Sequence, residues 1–366
     1  IRCSPSLFEI EGYRGDASSW EAFGAFIYRL NDEREGLSPD MAELVRETAA
    51  SAGSEPRQKI AALYELMRGM TRYVSVQLGI GGWKAFDAPY VEENKYGDCK
   101  ALTYFLQDML TEAGIKSVPA LIRPGSEPYR LDPEFAHPYS FSHVILYVPE
   151  EDLWLECTSD LAPPGYLGRS NMDRDVLLLT ENGGKLQRTP DSRPELHRRE
   201  GLTRARLDVE GRVQVVHHSS HQGGSQEVLR YVNAYLTTEK REQWFTENHA
   251  LAPFQLKKME IQPENARPFC TLQFEADAPH LASLSGKRLF VPLDRFLEPL
   301  LELPRTEERV HPVVSHKTFS CSDTLLLEPP EGFGVESLPF ETETFEGPYG
   351  QFHYSLSTTP QGEIQM

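Results

Sequence analysis

The sequence predicts an α+β protein in which a helical N-terminal part packs on an antiparallel β-sheet and a mainly β domain follows. Three observations support this prediction. Apolar residues recur at helical spacing between positions 18 and 113, β-rich runs separated by tight turns follow from 117 to 158, and strand patterns dominate after 193. The 366 residues are enough for two or three domains, with ordinary apolar content of 39%.

The first three helices are indicated by their N-terminal residues. The run Ser18–Glu21 offers a capping box to a helix whose apolar stripe extends from Ala22 to Leu30. Ser38 followed by Pro39 begins a second helix, because proline suits the first helical position. Ser54 begins a third predicted helix.

The next helix contains the candidate nucleophile. Gly97 allows a sharp turn, Asp98 has an N-cap side chain, and an apolar stripe from Leu102 ends at Gly114. Cys99 therefore lies in the first turn, where free N–H groups and the helix dipole favour an anion. We expect a lowered thiol pKa and a better nucleophile there. The alternative is a buried cysteine that acts as a small apolar side chain.

The segment from Thr71 to Asn94 precedes this helix and has little regular pattern. Loops close to a nucleophile often line the substrate cleft. Trp83 could form a cleft wall or donate its indole N–H to an oxyanion. The alternative is an aromatic side chain packed at the rim of the core.

The strands that follow bring an imidazole and a carboxylate into one hairpin. We predict strands at 117–123, 142–148 and 153–158, the last two joined by an acidic turn. If the Cys99 helix packs on this sheet, His143 can face the thiol and Glu156 can accept from the other ring nitrogen. The alternative is a polar histidine and a solvated glutamate on an edge strand.

Four runs in this order resemble the motifs of the transglutaminase-like superfamily, whose fold is that of papain. They are Tyr96–Leu102 for the nucleophile, Ser142–Val148 for the histidine, Trp154–Thr158 for the third residue, and Arg72–Trp83 upstream. The last run is similar to one bacterial subgroup. That resemblance implies a papain/transglutaminase-like core flanked by N- and C-terminal β domains, and a location in the cell envelope or periplasm.

The resemblance also implies roles for individual residues. Cys99 matches the nucleophile and His143 the base, whereas Glu156 stands where the family normally has aspartate. The added methylene could move the carboxylate out of line with the imidazole, so Asp160 is the fallback third residue.

The chemistry implied is acyl transfer or hydrolysis on peptide or protein amide bonds through a thioacyl intermediate. Trp83 or Gln77 is the candidate second oxyanion donor. Water as the second nucleophile gives a peptidase or amidase, which we favour, and an amine gives cross-linking. No cofactor or metal is required. The rival function is a non-catalytic binding or scaffold protein with a degenerate core, and the Glu156 substitution keeps that alternative open.

The composition excludes several partners. The formal net charge of −18 argues against nucleic acid and anionic membrane surfaces, and no apolar run approaches a bilayer span of about 20 residues. Five cysteines are too few for a disulfide scaffold and form no CxxC metal pattern, although Cys270 and Cys321 could pair in an oxidising compartment. The run His217–His221 could suggest a metal site, but a solvated loop is the better interpretation.

A change in composition marks the domain boundary. Residues 160–200 are rich in Pro, Gly, Arg and Asp, and we place the boundary near Arg193. The predicted organisation is the tail of an upstream segment at 1–15, a transglutaminase-like core at 16–192, and a mainly β domain at 193–366. One helix, roughly Gln226–Asn248, interrupts the β pattern of that last domain.

Overall fold

A computed structural model describes residues 5–126, 129–251, 253–297, 310, 318–338 and 342–366. Cys3 and the first residues of the expected N-terminal tail lie outside these ranges. The chain forms two compact units, Ile1–Ser192 with Asn265–Arg267, and Arg193–Glu264 with Pro268–Met366. The α+β class predicted from the sequence is confirmed.

The first unit contains five α-helices and nine strands within its described residues. The helices are α1 Trp20–Asp32, α2 Pro39–Ser51, α3 Pro56–Met70, α4 Ala88–Asn94 and α5 Cys99–Glu112. The strands are β1 Leu7–Ile10, β2 Tyr13–Asp16, β3 Arg72–Tyr73, β4 Tyr96–Gly97, β5 Val118–Ile122, β6 His143–Val148, β7 Leu153–Leu155, β8 Asp175–Thr180 and β9 Gly183–Arg188.

A five-stranded antiparallel sheet in the order β7-β6-β5-β8-β9 forms the centre of this unit. Side chains alternate between its faces. Leu146 and Val148 of β6 share a core with α2, α3 and α5, and Val144 shares a neighbouring core with α1. Ile145 and Tyr147 point to the opposite face and belong to a separate apolar cluster.

Local hydrogen bonds begin most of the predicted helices. Ser19 accepts from the backbone N–H of Ala22, and Ser38 accepts from that of Met41. The prediction for the third helix is wrong by two residues, because α3 begins at Pro56 and its N-cap makes no side-chain hydrogen bond. Proline at the first helical position lacks an N–H that would need a partner, so a polar cap is less necessary.

Two regular elements lie where the sequence analysis expects none. Helix α4 occupies the end of the predicted loop before Cys99, and its start at Ala88-Pro89 gives only a weak signal. The β8–β9 hairpin lies in the predicted interdomain segment, and β8 is the buried run VLLL flanked by charged and polar residues. Compositional bias around this short run concealed a strand that is buried on both faces.

The second unit is mainly β and its described part contains two α-helices. The helices are α6 Glu227–Tyr235 and α7 Thr238–Asn248. The strands are β10 Arg198–Leu207, β11 Val213–Gln222, β12 Gln255–Pro263, β13 Phe269–Ala278, β14 Ser283–Ser285, β15 Arg288–Phe290, β16 Ser320–Glu328, β17 Thr342–Gly347, β18 Gly350–Ser355, β19 Ser357–Thr358 and β20 Ile364–Gln365. Seven of them form a sheet in the order β12-β13-β11-β10-β16-β20-β19, in which β10 and β16 are parallel.

Three details of the second unit differ from the expectations. The single predicted helix is divided into α6 and α7, because Thr237 starts a new helix as an N-cap that accepts from Lys240. The run His217–His221 lies within β11 and not in a loop. No cluster of three or more potential metal ligands occurs in the described ranges.

The suggested pairing of Cys270 with Cys321 is wrong, because both are free thiols. Cys270 lies on β13 and Cys321 on β16, with β11 and β10 between them. Three strand spacings separate the two residues by about 14 Å, which is too far for a disulfide.

None of the helices within the described ranges is long and apolar enough to cross a bilayer.

Candidate active site

Cys99 is the first residue of α5 and is 3% exposed. The Asp98 side chain caps the helix by accepting from the backbone N–H of Ala101 at 2.9 Å. Gly97 is required by close packing, since a Cβ there would meet the Ala101 Cβ at 2.9 Å and Leu102 Cδ2 at 3.1 Å. The N–H of Cys99 is in the first turn and therefore has no acceptor within the helix.

A buried ion pair flanks the thiol in sequence. Lys100 Nζ lies 2.5 Å from Asp98 Oδ2, and the side chains are 7% and 1% exposed. The ammonium neutralises a carboxylate that also caps the helix. The pair therefore holds the first turn of α5 in one geometry, and with it the position of Cys99.

His143 connects the thiol to the carboxylate. Its ring nitrogen Nε2 lies 2.9 Å from Glu156 Oε2 and 3.1 Å from Oε1. The Cys99 side chain also lies close enough to the ring to raise the pKa of His143. Because Nε2 faces the glutamate, Nδ1 is the nitrogen left for the thiol. The fold thus brings His143 into contact with Glu156 and places Cys99 near the same imidazole.

The electrostatics favour a charged pair between the imidazole and the carboxylate. Burial by itself would lower the pKa of His143, but the Glu156 carboxylate and the Cys99 side chain outweigh it and raise this pKa to about 10. Burial would raise the pKa of Glu156, yet the charge and hydrogen bond of His143 and the bonds from Thr158 lower it. Imidazolium and carboxylate are therefore the favoured forms near neutral pH.

The glutamate is held by two residues that the sequence analysis did not assign to the site. Thr158 donates to Glu156 Oε1 from its backbone N–H at 3.0 Å and from its hydroxyl at 2.6 Å. Asn171 donates from its amide to Glu156 Oε2 at 2.7 Å. Thr158 ends the run Trp154–Thr158, which the sequence analysis already singled out. Asn171 lies in the segment that was interpreted as interdomain, and no pattern around it predicts a role in the site.

The fallback residue Asp160 has a different position. It is exposed, whereas Glu156 is 6% exposed and contacts the imidazole. The strand β7 ends at Leu155, three residues earlier than predicted. One reason is that the backbone N–H of Thr158 donates to the Glu156 side chain and is therefore not available for a hydrogen bond to a neighbouring strand.

The two candidate oxyanion donors are placed differently. Trp83 packs against the apolar cluster that contains Cys99, and its ring contacts Phe23 and Tyr139 with centroids 5.9 Å apart in each case. Within the described part of the chain no acceptor binds its indole N–H. Gln77 is exposed, and no described contact links it to Cys99.

The other described cysteines lack a histidine partner of this kind. Cys157 is 4% exposed, and burial raises the pKa of its thiol. Burial likewise raises the pKa of Cys270 to about 11 and the pKa of Cys321. A protonated thiol is a poor nucleophile, so these three side chains are expected to be inert near neutral pH.

No protein-family model and no curated protein sequence matches the chain. Its fold is similar to the crystal structure of a protein from Parabacteroides distasonis ATCC 8503 described as a putative protease. The TM-score is 0.50 with 13% sequence identity, and the match covers 93% of this chain and 51% of the other. The chain therefore spans about half the length of that protein.

Proposed function

We propose that this chain is a transglutaminase-like cysteine enzyme with a papain-like core, which cleaves or transfers amide bonds of peptides or proteins. The observation that supports this best is the 2.9 Å contact between His143 and Glu156. The same imidazole is influenced by Cys99, which is the first residue of a helix. It provides a nucleophile, a base beside it, and a carboxylate that orients the base.

In the first step Cys99 reacts as a thiolate with the amide carbonyl carbon. A C–S bond forms, and the oxygen that becomes negative is bound by the N–H of Cys99 and by the indole N–H of Trp83. The C–N bond then breaks as the imidazolium of His143 gives its proton to the leaving amine. The products are a free amine and a thioester on the enzyme.

In the second step the neutral imidazole of His143 accepts a proton from water, and the hydroxide attacks the thioester. The C–S bond breaks, a carboxylic acid leaves, and the thiolate and imidazolium are restored. An amine in place of water would give a new amide. The description of the structural neighbour as a putative protease favours water as the acceptor.

Glu156 takes the part that aspartate has in the superfamily that the sequence resembles. It keeps Nε2 protonated and directs Nδ1 to the thiol, and it stabilises the imidazolium formed in each cycle. It does not itself take up a proton. The same resemblance extends the proposal to a cell-envelope location, which fractionation of the source cells would check.

The competing function is a binding or scaffold protein without catalysis. The burial of Cys99 at 3% exposure favours it, since a substrate carbonyl must reach the sulfur. Under that alternative the thiol would be shielded from reagents as well as from substrates. Reactivity of the thiol therefore separates the two.

The test is the rate of alkylation of each cysteine by iodoacetamide at pH 6, followed by peptide mass spectrometry. A free thiol is about 0.3% thiolate at pH 6, so a thiolate held by an imidazolium should react about 100-fold faster. We expect this excess at Cys99 and its loss in the His143→Ala variant. Equal, slow labelling of all cysteines would refute the activated thiol.

A second assay addresses the reaction itself. The purified chain is incubated with denatured casein and with a library of fluorogenic peptide amides, and the Cys99→Ala variant is the matched control. We expect release of new amino termini that depends on Cys99. Cleavage that survives in the Cys99→Ala variant would assign it to another group.

A further inference from the structure

The two oxygens of the Glu156 carboxylate are both occupied by donors besides the imidazole. Oε1 accepts two bonds from Thr158, at 3.0 Å from the N–H and 2.6 Å from the hydroxyl. Oε2 accepts from Asn171 at 2.7 Å. The same oxygens contact His143 Nε2 at 3.1 and 2.9 Å. Rotation of the carboxylate would break several of these bonds together, so one orientation is favoured.

The Asn171 side chain is buried, and its amide NH₂ makes two hydrogen bonds. It is 3% exposed, and its amide NH₂ donates to Glu156 and to the carbonyl oxygen of Leu167 at 3.0 Å. Both partners are acceptors, which decides the orientation of the amide. Within the described residues its Oδ1 is buried without a hydrogen-bond partner. An unpaired buried carbonyl costs free energy, and the charge-assisted bond to Glu156 offsets that cost.

The backbone around Asn171 is also fixed. Asn171 ends a short 3₁₀ turn, where its N–H donates to Gly168 at 3.2 Å, and Thr189 donates its hydroxyl to the Asn171 carbonyl at 2.7 Å. Thr189 directly follows β9 of the central sheet. The amide that holds Glu156 is therefore anchored to the sheet and not to a free loop.

We propose that Asn171 and Thr158 are positioning residues that align Glu156 with His143 and so compensate for a glutamate in place of aspartate. A glutamate has one more rotatable bond than an aspartate, and these donors restrain its carboxylate. They act on Cys99 only through Glu156 and His143. This inference rests on the proposed function, and its test separates the failure of one from the failure of the other.

The experiment measures the rate of Cys99 alkylation by iodoacetamide between pH 4 and pH 9. The changes are Thr158→Val, which removes the hydroxyl, and Asn171→Leu, which removes the amide. Loss of donors to the charged carboxylate raises the pKa of Glu156, so this residue becomes protonated at a higher pH. It then no longer stabilises the imidazolium and, through it, the thiolate. The acid midpoint of the alkylation profile should rise by about 0.5–1 pH unit in either variant.

Two controls separate positioning from folding. Thr158→Ser keeps the hydroxyl, and its midpoint should match the unchanged protein. Thr203→Val removes a similar bond in the second unit, where the Thr203 hydroxyl lies 2.8 Å from His217 Nδ1. It should alter the melting temperature but not the midpoint.

The outcomes are distinct. A reactive Cys99 whose midpoint is the same in Thr158→Val as in the unchanged protein would refute the positioning role and leave the proposed function standing. An unreactive Cys99 in the unchanged protein would refute the proposed function itself. Thr158→Val keeps the shape of the side chain, so it decides the question even where Asn171→Leu does not fold.

Discussion

Replacing Glu156 by glutamine tests the role of the carboxylate with the smallest change of shape. The amide keeps the size of the side chain and removes its charge. In the structure this leaves His143, whose side chain is 13% exposed, without the carboxylate that lies 2.9 Å from Nε2. The thiol, the helix and the sheet keep their other contacts.

The magnitude follows from the burial of this pair. Removing one partner of a buried charged pair costs about 3–5 kcal/mol. If the imidazolium bears this cost in the transition state, the turnover falls by about 10²–10⁴-fold, since each 1.36 kcal/mol is a factor of ten. The pKa of His143 also falls, because burial then acts without the opposing carboxylate. The alkaline limb of the pH profile should move to lower pH.

The assay is the rate of peptide-amide cleavage, or Cys99 alkylation where no substrate has been found, between pH 5 and pH 10. Asp160→Asn is the matched control, because it also neutralises an acid but at an exposed position. We expect at most a few-fold effect from it. A larger loss from Asp160→Asn than from Glu156→Gln would refute the assignment of Glu156.

Three further predictions concern stability. Asp98→Ala removes an N-cap and leaves Lys100 buried without its carboxylate, so chemical denaturation should show a loss of about 3–5 kcal/mol, and a loss below 1 kcal/mol would contradict a structural ion pair. Tyr64→Phe removes the hydroxyl that donates to the Glu156 and Ala162 carbonyls at 2.7 and 3.1 Å, and should lower stability by about 1–3 kcal/mol in the same assay. The second unit should lose stability as the pH falls from 6.5 to 4, followed by circular dichroism. Burial lowers the pKa of His217 to about 3, so the unfolded state binds the proton first, and a flat profile would refute this.

Part of this molecule could be predicted from short-range pattern. The helix starts at Ser19, Ser38 and Asp98 are each made by a side chain that binds an N–H three residues ahead. Such bonds join residues that are close in the chain, so the sequence contains all the information they need. The placement of Cys99 in the first turn of α5 follows for the same reason.

Other features could not be predicted, because short segments of sequence do not carry the signals that determine them. Strand β8 is a buried run of only a few residues inside a segment of biased composition. Its formation as a strand depends on pairing with the neighbouring strand β5. The run His217–His221 reads as polar, yet it lies on a central strand of the second sheet because β10 and β13 flank it. In both cases tertiary contacts decide what local preference leaves open.

The sequence by itself determined which residues could act as nucleophile, base and acid, and which of them begin a helix or a strand. Only the tertiary structure decided that Glu156 contacts His143 while Asp160 is exposed, and that Asn171 holds the carboxylate. The physical reason is the separation in the sequence between the residues that make contact. A cap is a contact between neighbours in the chain, whereas a side chain that reaches across a sheet depends on the register of strands and on the turns that return the chain to it.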